Sequence, residues 1–333
     1  MTIPPYRAPR WLPGGHAQTI WPLRCTGPLP NFQRERWTTP DGDFIDLDWL
    51  PLQPAAPLVV LFHGLEGSSH SPYARALMGH LASLGWNGVV PHFRGCSGEP
   101  NRAPRAYHSG DADEIEWILT RMAERFPDRP RYAAGVSLGG NALLLWLGTR
   151  GTEARRTIDA AAAICAPLDL AAAGHHLARG FNRVYTRHFL STLKRSAEAK
   201  LDRFPGLFDR AAMLRTETLH AFDNVVTAPL HGFRDTDDYW RRASSKPHLR
   251  HIAVPTLVLN ARNDPFLPAH HLPDVSQVSS AVHLEHPEEG GHAGFVRSPW
   301  PGRLDWLPAR LVHFFTNLNG SFHPLKSVML HCV

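Results

Sequence analysis

The chain has few cysteines and no long apolar run. Its 333 residues include four cysteines, Cys25, Cys96, Cys165 and Cys332, and no two of them form a Cys-x-x-Cys pair. This spacing gives no sign of a zinc site, and reduced thiols in a cytoplasmic protein are the simplest interpretation. The first residues contain no apolar leader, and no run reaches the roughly 18 apolar residues of a membrane span. We therefore expect a cytoplasmic protein that is neither secreted nor membrane-spanning.

Recognisable metal, cofactor and nucleic-acid motifs are missing as well. Paired histidines occur at His175-His176 and His270-His271, but adjacent side chains rarely point at one ion, so we predict no metal site and no cofactor. No nucleic-acid-binding motif accompanies the basic residues, which argues against nucleic acid as a partner. Hydrophobic residues make up 43% of the chain and charged residues 20%, a composition typical of a soluble globular enzyme.

Short apolar runs alternate with amphipathic segments along the chain. Strand patterns fall at residues 58–62, 87–91, 160–166 and 255–259, and helix patterns at residues 71–84 and 112–123. This alternation predicts an α/β fold with a mostly parallel central sheet and helices on both faces. The pattern pauses between about residues 169 and 247, where helical segments occur without a good strand, and this pause predicts an inserted helical cap.

The same pattern gives a division of the chain into four parts. We predict an extended N-terminal arm, a core in two pieces that includes a hairpin near its start, the cap, and an irregular C-terminal tail. Their bounds are 1–35 for the arm, 36–168 and 248–315 for the core, 169–247 for the cap and 316–333 for the tail.

The most informative motif is Gly135-Val136-Ser137-Leu138-Gly139, which has the form Gly-x-Ser-x-Gly. A strand-like run precedes it and a helix-like run follows it. A serine between a strand and a helix lies on a sharp turn that projects its hydroxyl upward, and this is the context of a nucleophile elbow. The motif alone is weak, because chance matches are common, but an acid and a histidine follow it in the order that a serine triad of this kind requires.

The acid candidate is Asp264 and the base candidate is His292. Asp264 follows the buried-strand run 256–259, at the edge of the sheet where open α/β folds bind ligands. His292 follows the last predicted strand and is flanked by glycines. Turn chemistry alone could explain Asp264, and most of the 21 histidines must have ordinary roles. In the proposed chemistry Ser137 attacks an acyl carbonyl, His292 transfers the proton, and Asp264 orients His292.

The oxyanion hole requires two backbone N–H donors. The first is the N–H of Leu138, the residue after the nucleophile. The second should follow an early buried strand, and the loop 63–69 follows the apolar run 58–62. Two glycines in this loop let the backbone turn inward, so we predict Leu65 N–H as the second donor. A plain glycine turn is the alternative.

The cap segment is strongly basic. Residues 174–215 contain nine Lys or Arg and three Asp or Glu, a net charge of +6, whereas the whole chain has +5. Arg179, Arg183 and Arg187 recur every four residues, which predicts that they share one helix face. Such a face could make weak peripheral contact with a membrane surface, although a solvated helix face is the simpler interpretation.

Several segments together resemble a known family, the YheT-like α/β-hydrolases (α/β-hydrolase family 4), which are related to ABHD1/ABHD3-type esterases and lipases. They are Gly14-Gly15-His16-Ala17-Gln18-Thr19-Ile20-Trp21-Pro22, His63–Ser69, Arg94–Gly98, Gly135–Gly140, Asn263–Pro265 and Gly290–Gly294. The resemblance spans nearly all of residues 10–315. It implies an α/β-hydrolase fold, carboxylic-ester hydrolysis and a triad of Ser137, Asp264 and His292. Since eukaryotic members act on acylglycerols or phospholipids, it also implies that the small-molecule ester substrate could be an acyl lipid.

Three functions remain open from the sequence. The leading hypothesis is a serine esterase that forms an acyl-enzyme intermediate. A thioesterase or peptidase could use the same triad, and a non-catalytic binding protein could keep the fold. A serine nucleophile argues against the dehalogenase and epoxide hydrolase chemistry of this fold, which uses aspartate. Five apolar cap residues suggest an acyl-chain pocket, although core packing explains them equally well: Leu177, Phe181, Val184, Phe189 and Leu193.

Overall fold

A computed structural model describes residues 3–318 and contains one eight-stranded sheet. The strands are β1 Gln33–Thr38, β2 Phe44–Trp49, β3 Leu58–Phe62, β4 Asn87–Pro91, β5 Arg131–Val136, β6 Ala160–Ile164, β7 Thr256–Leu259 and β8 Val282–Glu285. Their order in the sheet is β1-β2-β4-β3-β5-β6-β7-β8. β1 and β2 pair antiparallel, as do β2 and β4, and all the other neighbours are parallel. The prediction of an α/β fold with a mostly parallel sheet is confirmed.

Helices cover both faces of this sheet. The helices of the described residues are α1 Gly15–Ile20, α2 Pro72–Ser83, α3 Ala112–Arg125, α4 Leu138–Arg150, α5 Leu170–Leu177, α6 Arg183–Arg203, α7 Arg210–Leu214, α8 Leu219–Phe222, α9 Ala228–Leu230, α10 Thr236–Ala243 and α11 Trp306–Thr316. Of these, α3 and α4 cover one face of the sheet, and α2 and α11 cover the other. Within residues 3–318 every helix is too short or too polar to cross a bilayer.

The central strand β3 shows how the two layers of the core form. Leu58, Val60 and Phe62 belong to the buried cluster that includes α3 and α4. Val59 and Leu61 face the opposite side and belong to the cluster that includes α2 and α11. Because side chains of a strand alternate between the faces, a strand with helices on both sides must be apolar throughout. This requirement explains the continuous run that identified β3 in the sequence.

Parallel pairing places the ends of β5 and β7 at one edge of the sheet. β6 lies between them, with Val136 opposite Ile164 and Ile164 opposite Leu259. Neighbouring strands are about 4.8 Å apart, so the turns after β5 and β7 begin roughly 10 Å from each other. The turn after β5 contains Ser137 and the turn after β7 contains Asp264, and the topology therefore brings two distant segments of the chain together.

The N-terminal segment differs from the extended arm predicted for residues 1–35. It contains α1 and a short 3₁₀ turn at residues 21–24, and β1 begins at Gln33. The six residues of α1 are too few to show a helical period, and so short a helix depends on tertiary contacts for its stability. Gln18 in α1 is fully buried. Within residues 316–333, predicted as an irregular tail, those after 318 lie outside the described residues, as does Cys332.

Residues 165–255, between β6 and β7, form α5 to α10 without a strand. The prediction that Arg179, Arg183 and Arg187 share one helix face is wrong for Arg179, whereas Arg183 and Arg187 lie about one turn apart on α6 and line a common surface pocket. α5 ends at Leu177, and Gly180 has φ +54°, a conformation that favours glycine and that a helix cannot pass through. α6 then begins at Arg183, so Arg179 lies on the connection between the two helices.

Candidate active site

Ser137 lies on a strained turn between β5 and α4. Its φ is +55° and its ψ is −122°, a region that non-glycine residues rarely adopt. The chain reverses so tightly that a Cβ on Gly139 would lie 2.5 Å from Phe62 O, and one on Gly135 would lie 2.5 Å from Gly139 O. The two glycines of the Gly-x-Ser-x-Gly motif are therefore required by close backbone approach.

Asp264 and His292 are in direct contact. His292 Nδ1 lies 2.9 Å from Asp264 Oδ2 and 3.1 Å from its Oδ1. A carboxylate only accepts hydrogen bonds, so Nδ1 donates the proton and Nε2 is left with a free lone pair. The side chain of Asp264 is 1% exposed and that of His292 is 11% exposed. Phe266 N–H also donates to Asp264 Oδ1, at 2.8 Å, which fixes the orientation of the carboxylate.

Ser137 and His292 both lie beside the end of β6. Ser137 N–H donates to Ile164 O at 2.8 Å. The next residue along the chain, Cys165, accepts a hydrogen bond from Ala293 N–H at its sulfur, at 3.2 Å. Within residues 3–318 no hydrogen bond joins the Ser137 hydroxyl to His292. Catalytic hydrogen bonds are often long without substrate and shorten only in the complex.

The backbone around Leu65 is held by three hydrogen bonds that leave the Leu65 amide unused. Gly64 N–H donates to the Tyr73 hydroxyl at 2.8 Å, and Glu66 N–H donates to the Tyr107 hydroxyl at 2.7 Å. His63 Nδ1 donates to Gly64 O at 2.8 Å. Burial lowers the pKa of His63 to about 3, so this ring is neutral and acts as part of the framework.

The two predicted oxyanion donors line the same cavity as Ser137. Leu138 is the first residue of α4, and an amide in the first turn of a helix has no partner within the helix. Among the described residues neither Leu65 N–H nor Leu138 N–H donates a hydrogen bond. Both amides therefore lack a hydrogen-bond acceptor within residues 3–318.

A cavity of about 580 Å³ opens over Ser137. This volume lies within the range of small-molecule binding sites. The wall is mostly apolar and comes largely from the segment between β6 and β7. Its apolar lining includes Leu170, Ala173, Leu177, Phe189, Leu193, Phe222, Val226 and Trp240. Leu177, Phe189 and Leu193 were among the five residues suggested for an acyl pocket, whereas Phe181 and Val184 are exposed, at 54% and 49%.

Cys165, Asp264 and His292 form the one group of potential metal ligands found in residues 3–318, with ligand atoms within 4.8 Å of one another. Their chemistry fits a metal poorly. Burial and the nearby Asp264 charge raise the pKa of Cys165 well above its usual range, which keeps the sulfur as a neutral thiol, and metals bind the thiolate. His292 Nδ1 is already occupied by Asp264.

Sequence reasoning missed the residues that surround the Asp264–His292 pair. Phe266 stacks on His292 with ring centroids 3.9 Å apart and also lines the cavity. Gln18 and Thr19 of α1 hydrogen-bond to the loop that contains His292. The signal for α1 was present, since the segment Gly14–Pro22 was one of those that carry the family resemblance, but no role followed from it.

Comparison with known proteins supports the same architecture. Residues 57–299 match a family model described as alpha/beta hydrolase fold. The YheT protein of Escherichia coli is 40% identical over 90% of both chains. The mouse phospholipase ABHD3 is 29% identical over 96% of this chain and 80% of its own length. A solved esterase from Exiguobacterium antarcticum superposes with a TM-score of 0.55 at 15% identity, covering 85% of this chain and 100% of that one, which shows the shared fold.

Proposed function

The chain belongs to the α/β-hydrolase family, in its YheT- and ABHD-like branch, and is a carboxylic ester hydrolase; from this premise we propose that Ser137 is the nucleophile, His292 the general base and Asp264 its orienting acid. The observation behind the proposal is the His292–Asp264 hydrogen bond of 2.9 Å, which lies at the same sheet edge as the strained Ser137 turn. This arrangement leaves Nε2 of His292 as the basic atom.

The reaction proceeds in two acyl transfers. The Ser137 hydroxyl attacks the ester carbonyl while His292 Nε2 accepts its proton, and the same proton then goes to the departing alcohol. An acyl group remains on Ser137. Water, deprotonated by His292, attacks this acyl-enzyme, and the carboxylic acid leaves as Ser137 regains its proton. Asp264 stabilises the positive charge that His292 carries in each step.

The unused amides of Leu65 and Leu138 stabilise the oxyanion that forms in both transfers. They are held in place before the substrate arrives, so little reorganisation is needed during the reaction. Loss of one such donor typically costs about 3 kcal/mol of transition-state stabilisation. The position of Leu138 at the start of α4 adds the favourable end of the helix dipole.

The cavity fits the acyl part of the substrate. Its largely apolar wall can bury an alkyl chain, and each buried methylene contributes about 0.8 kcal/mol. Because most of this wall belongs to residues 169–247, we infer that this helical segment is the cap that covers the bound chain. The relatives named as lipase or phospholipase make an acyl lipid the favoured substrate class.

Replacement of the nucleophile tests the proposal. Wild-type protein should react with a fluorophosphonate probe and hydrolyse p-nitrophenyl esters, and Ser137→Ala should lose both activities while keeping the same circular dichroism spectrum. Ser83→Ala provides a matched control, because Ser83 is exposed on α2 and, among the described residues, its hydroxyl hydrogen-bonds only to His80 O. Wild-type protein that fails to react, or Ser137→Ala protein that reacts equally well, would show that Ser137 is not the nucleophile. Parallel assays with p-nitrophenyl esters, thioesters and peptides separate the three acyl-transfer activities.

A further inference from the structure

The buried side chain of Gln18 connects the two loops that contain Asp264 and His292. Gln18 Oε1 accepts a hydrogen bond from Gly290 N–H at 2.8 Å and another from Asn263 Nδ2 at 2.9 Å. Its Nε2 donates to Leu12 O at 2.9 Å and to Glu289 Oε1 at 3.2 Å. The side chain is fully buried, and all of its principal hydrogen-bonding positions are used.

Thr19, the next residue of α1, fixes the histidine itself. Its Oγ1 accepts a hydrogen bond from His292 N–H at 2.9 Å and donates to Gly15 O at 2.6 Å. Asn263 completes the set, because its Oδ1 accepts from Gly291 N–H at 3.0 Å. The backbone of the histidine loop is therefore held at three consecutive residues, 290, 291 and 292.

Glycines allow α1 to approach both loops at backbone distance. A Cβ on Gly15 would lie 1.9 Å from Asn263 O, and one on Gly294 would lie 2.0 Å from Gln18 O. One on Gly291 would lie 2.8 Å from Gln18 C. Because these three residues have no Cβ, the backbone of α1 lies directly against the backbone of both loops. This close contact restricts how far the segments can shift relative to one another.

We propose that Gln18 and Thr19 are positioning residues that set the geometry between Asp264 and His292. The proposal rests on the proposed function of those two residues. α1 would act through the hydrogen bonds above, because Gln18 is fully buried and Thr19 Oγ1 is already bonded to Gly15 O and His292 N–H. A displacement of about 1 Å in a catalytic group can cost on the order of 100-fold in rate.

The principal variant is Gln18→Met, which keeps the volume of the side chain and removes its amide. We expect kcat for a p-nitrophenyl ester to fall on the order of 100-fold, with KM nearly unchanged. The low-pH limb of the kcat/KM profile, which reports the protonation of the free enzyme's base, should also shift. Gln53→Met is the matched control, since Gln53 is exposed and its side chain hydrogen-bonds only to Pro51 O within the part of the chain that the structure describes.

Thr19 supplies a second pair of variants in case Gln18→Met does not fold. Thr19→Ser keeps the hydroxyl and should retain wild-type kcat, whereas Thr19→Val keeps the shape, removes the acceptor and should lower kcat about tenfold or more. Folded Gln18→Met with wild-type kcat and pH profile would overturn the proposal. If Gln18→Met does not fold, equal kcat values for Thr19→Ser and Thr19→Val would overturn the proposal.

Labelling with a fluorophosphonate separates failure of this proposal from failure of the proposed function. Wild-type protein that does not label at Ser137 would refute the triad itself. Wild-type protein that labels, together with Gln18→Met protein that labels at the same rate, would refute only the positioning role. Slower labelling of folded Gln18→Met, with Gln53→Met unchanged, would support it.

Discussion

At residue 137 the backbone holds an unfavourable conformation that the surrounding packing maintains. A φ of +55° costs a non-glycine residue on the order of 1–3 kcal/mol. Gly135 and Gly139 permit the close approach, and Ser137 N–H donates to Ile164 O on the neighbouring strand. These contacts hold the strained turn between β5 and α4, where Ser137 and Leu138 both line the cavity.

Replacement of Asp264 by Asn should remove activity while leaving the fold intact. The amide Oδ1 can still accept from Phe266 N–H, so the NH₂ group would face His292 Nδ1. That nitrogen must then accept a hydrogen bond, which moves the ring proton to Nε2 and leaves no base for Ser137. We expect kcat to fall by about 10³ to 10⁴-fold, measured with p-nitrophenyl butyrate.

Asp113→Asn is the control for this variant, because Asp113 is exposed on α3 and its one ion pair in residues 3–318 is with Arg150 at 3.4 Å. Retention of more than a tenth of the wild-type kcat by Asp264→Asn would show that the carboxylate does not orient the base.

At the scale of elements, the hairpin of β1 and β2 forms one edge of the sheet and is joined by two cross-strand ion pairs. Arg34 lies opposite Asp48 and Arg36 opposite Asp46 in the pairing register, and each arginine donates two hydrogen bonds to its carboxylate. Bidentate pairs of this kind have strict geometry. The two ion pairs connect the largely exposed strand β1 to the buried strand β2, in addition to the backbone hydrogen bonds between them.

Asp48 should make stability depend on pH. Burial alone would raise its pKa, but hydrogen bonds from Arg34, His92 and Ser69 outweigh burial and lower the pKa well below the ordinary 3.8. Because the folded pKa lies below the unfolded one, the stabilisation is complete at neutral pH and is lost as the pH falls below about 4. Asp48→Asn should reduce the free energy of unfolding by roughly 3 kcal/mol at pH 7.

Urea unfolding at pH 7 and at pH 3 measures this effect. The difference between wild type and Asp48→Asn should shrink at pH 3, because there the unfolded wild-type chain takes up a proton on Asp48 that the folded protein does not. Asp128→Asn is the control, since Asp128 is exposed and forms no ion pair within residues 3–318. A difference that stays constant with pH would exclude the charge of Asp48 as its cause.

At the scale of the whole molecule, the cavity lies between two parts of the chain that differ in character. The sheet edge supplies Ser137 and the proposed oxyanion donors, and residues 169–247 supply most of the apolar wall. α6 is also attached to the loop after β4, because Lys200 Nζ donates to Asn101 Oδ1 and to the carbonyls of Ala103 and Arg105 at 3.0 to 3.1 Å.

Leu193→Trp should shorten the preferred acyl chain. The larger ring would occupy space in the cavity and displace about two or three methylenes, each worth about 0.8 kcal/mol. We expect kcat/KM for p-nitrophenyl palmitate to fall about 30-fold relative to the butyrate ester. Leu214→Trp is the control, because Leu214 is 45% exposed and does not line the cavity. An equal loss on both esters would place the acyl chain elsewhere.

Much of the framework could be predicted because local patterns are strong where both faces of an element are buried. β3 was visible as an unbroken apolar run, and the turn after β5 was visible because the two glycines around Ser137 are sterically required. Asp264 and His292 were selected by their order after the serine and by their position after strands. In each case the physical requirement acts on residues close together in the chain.

Other features could not be predicted because they depend on segments far apart in the sequence. α1 has six residues and no readable period, and Gln18 meets Gly290 across 272 positions. The break at Gly180 that separates Arg179 from α6 was hidden by a regular spacing of arginines.

The sequence by itself determined the chemistry available to this protein, namely a strained serine with an acid and a histidine following it, because the residue types and the tight turn are local properties. Only the tertiary structure decided which groups meet. The parallel order of β5, β6 and β7 sets the serine and the acid two strands apart, and α1 holds the histidine loop against the acid. Such contacts depend on how the sheet and the N-terminal segment pack together, a relation that no single stretch of chain contains.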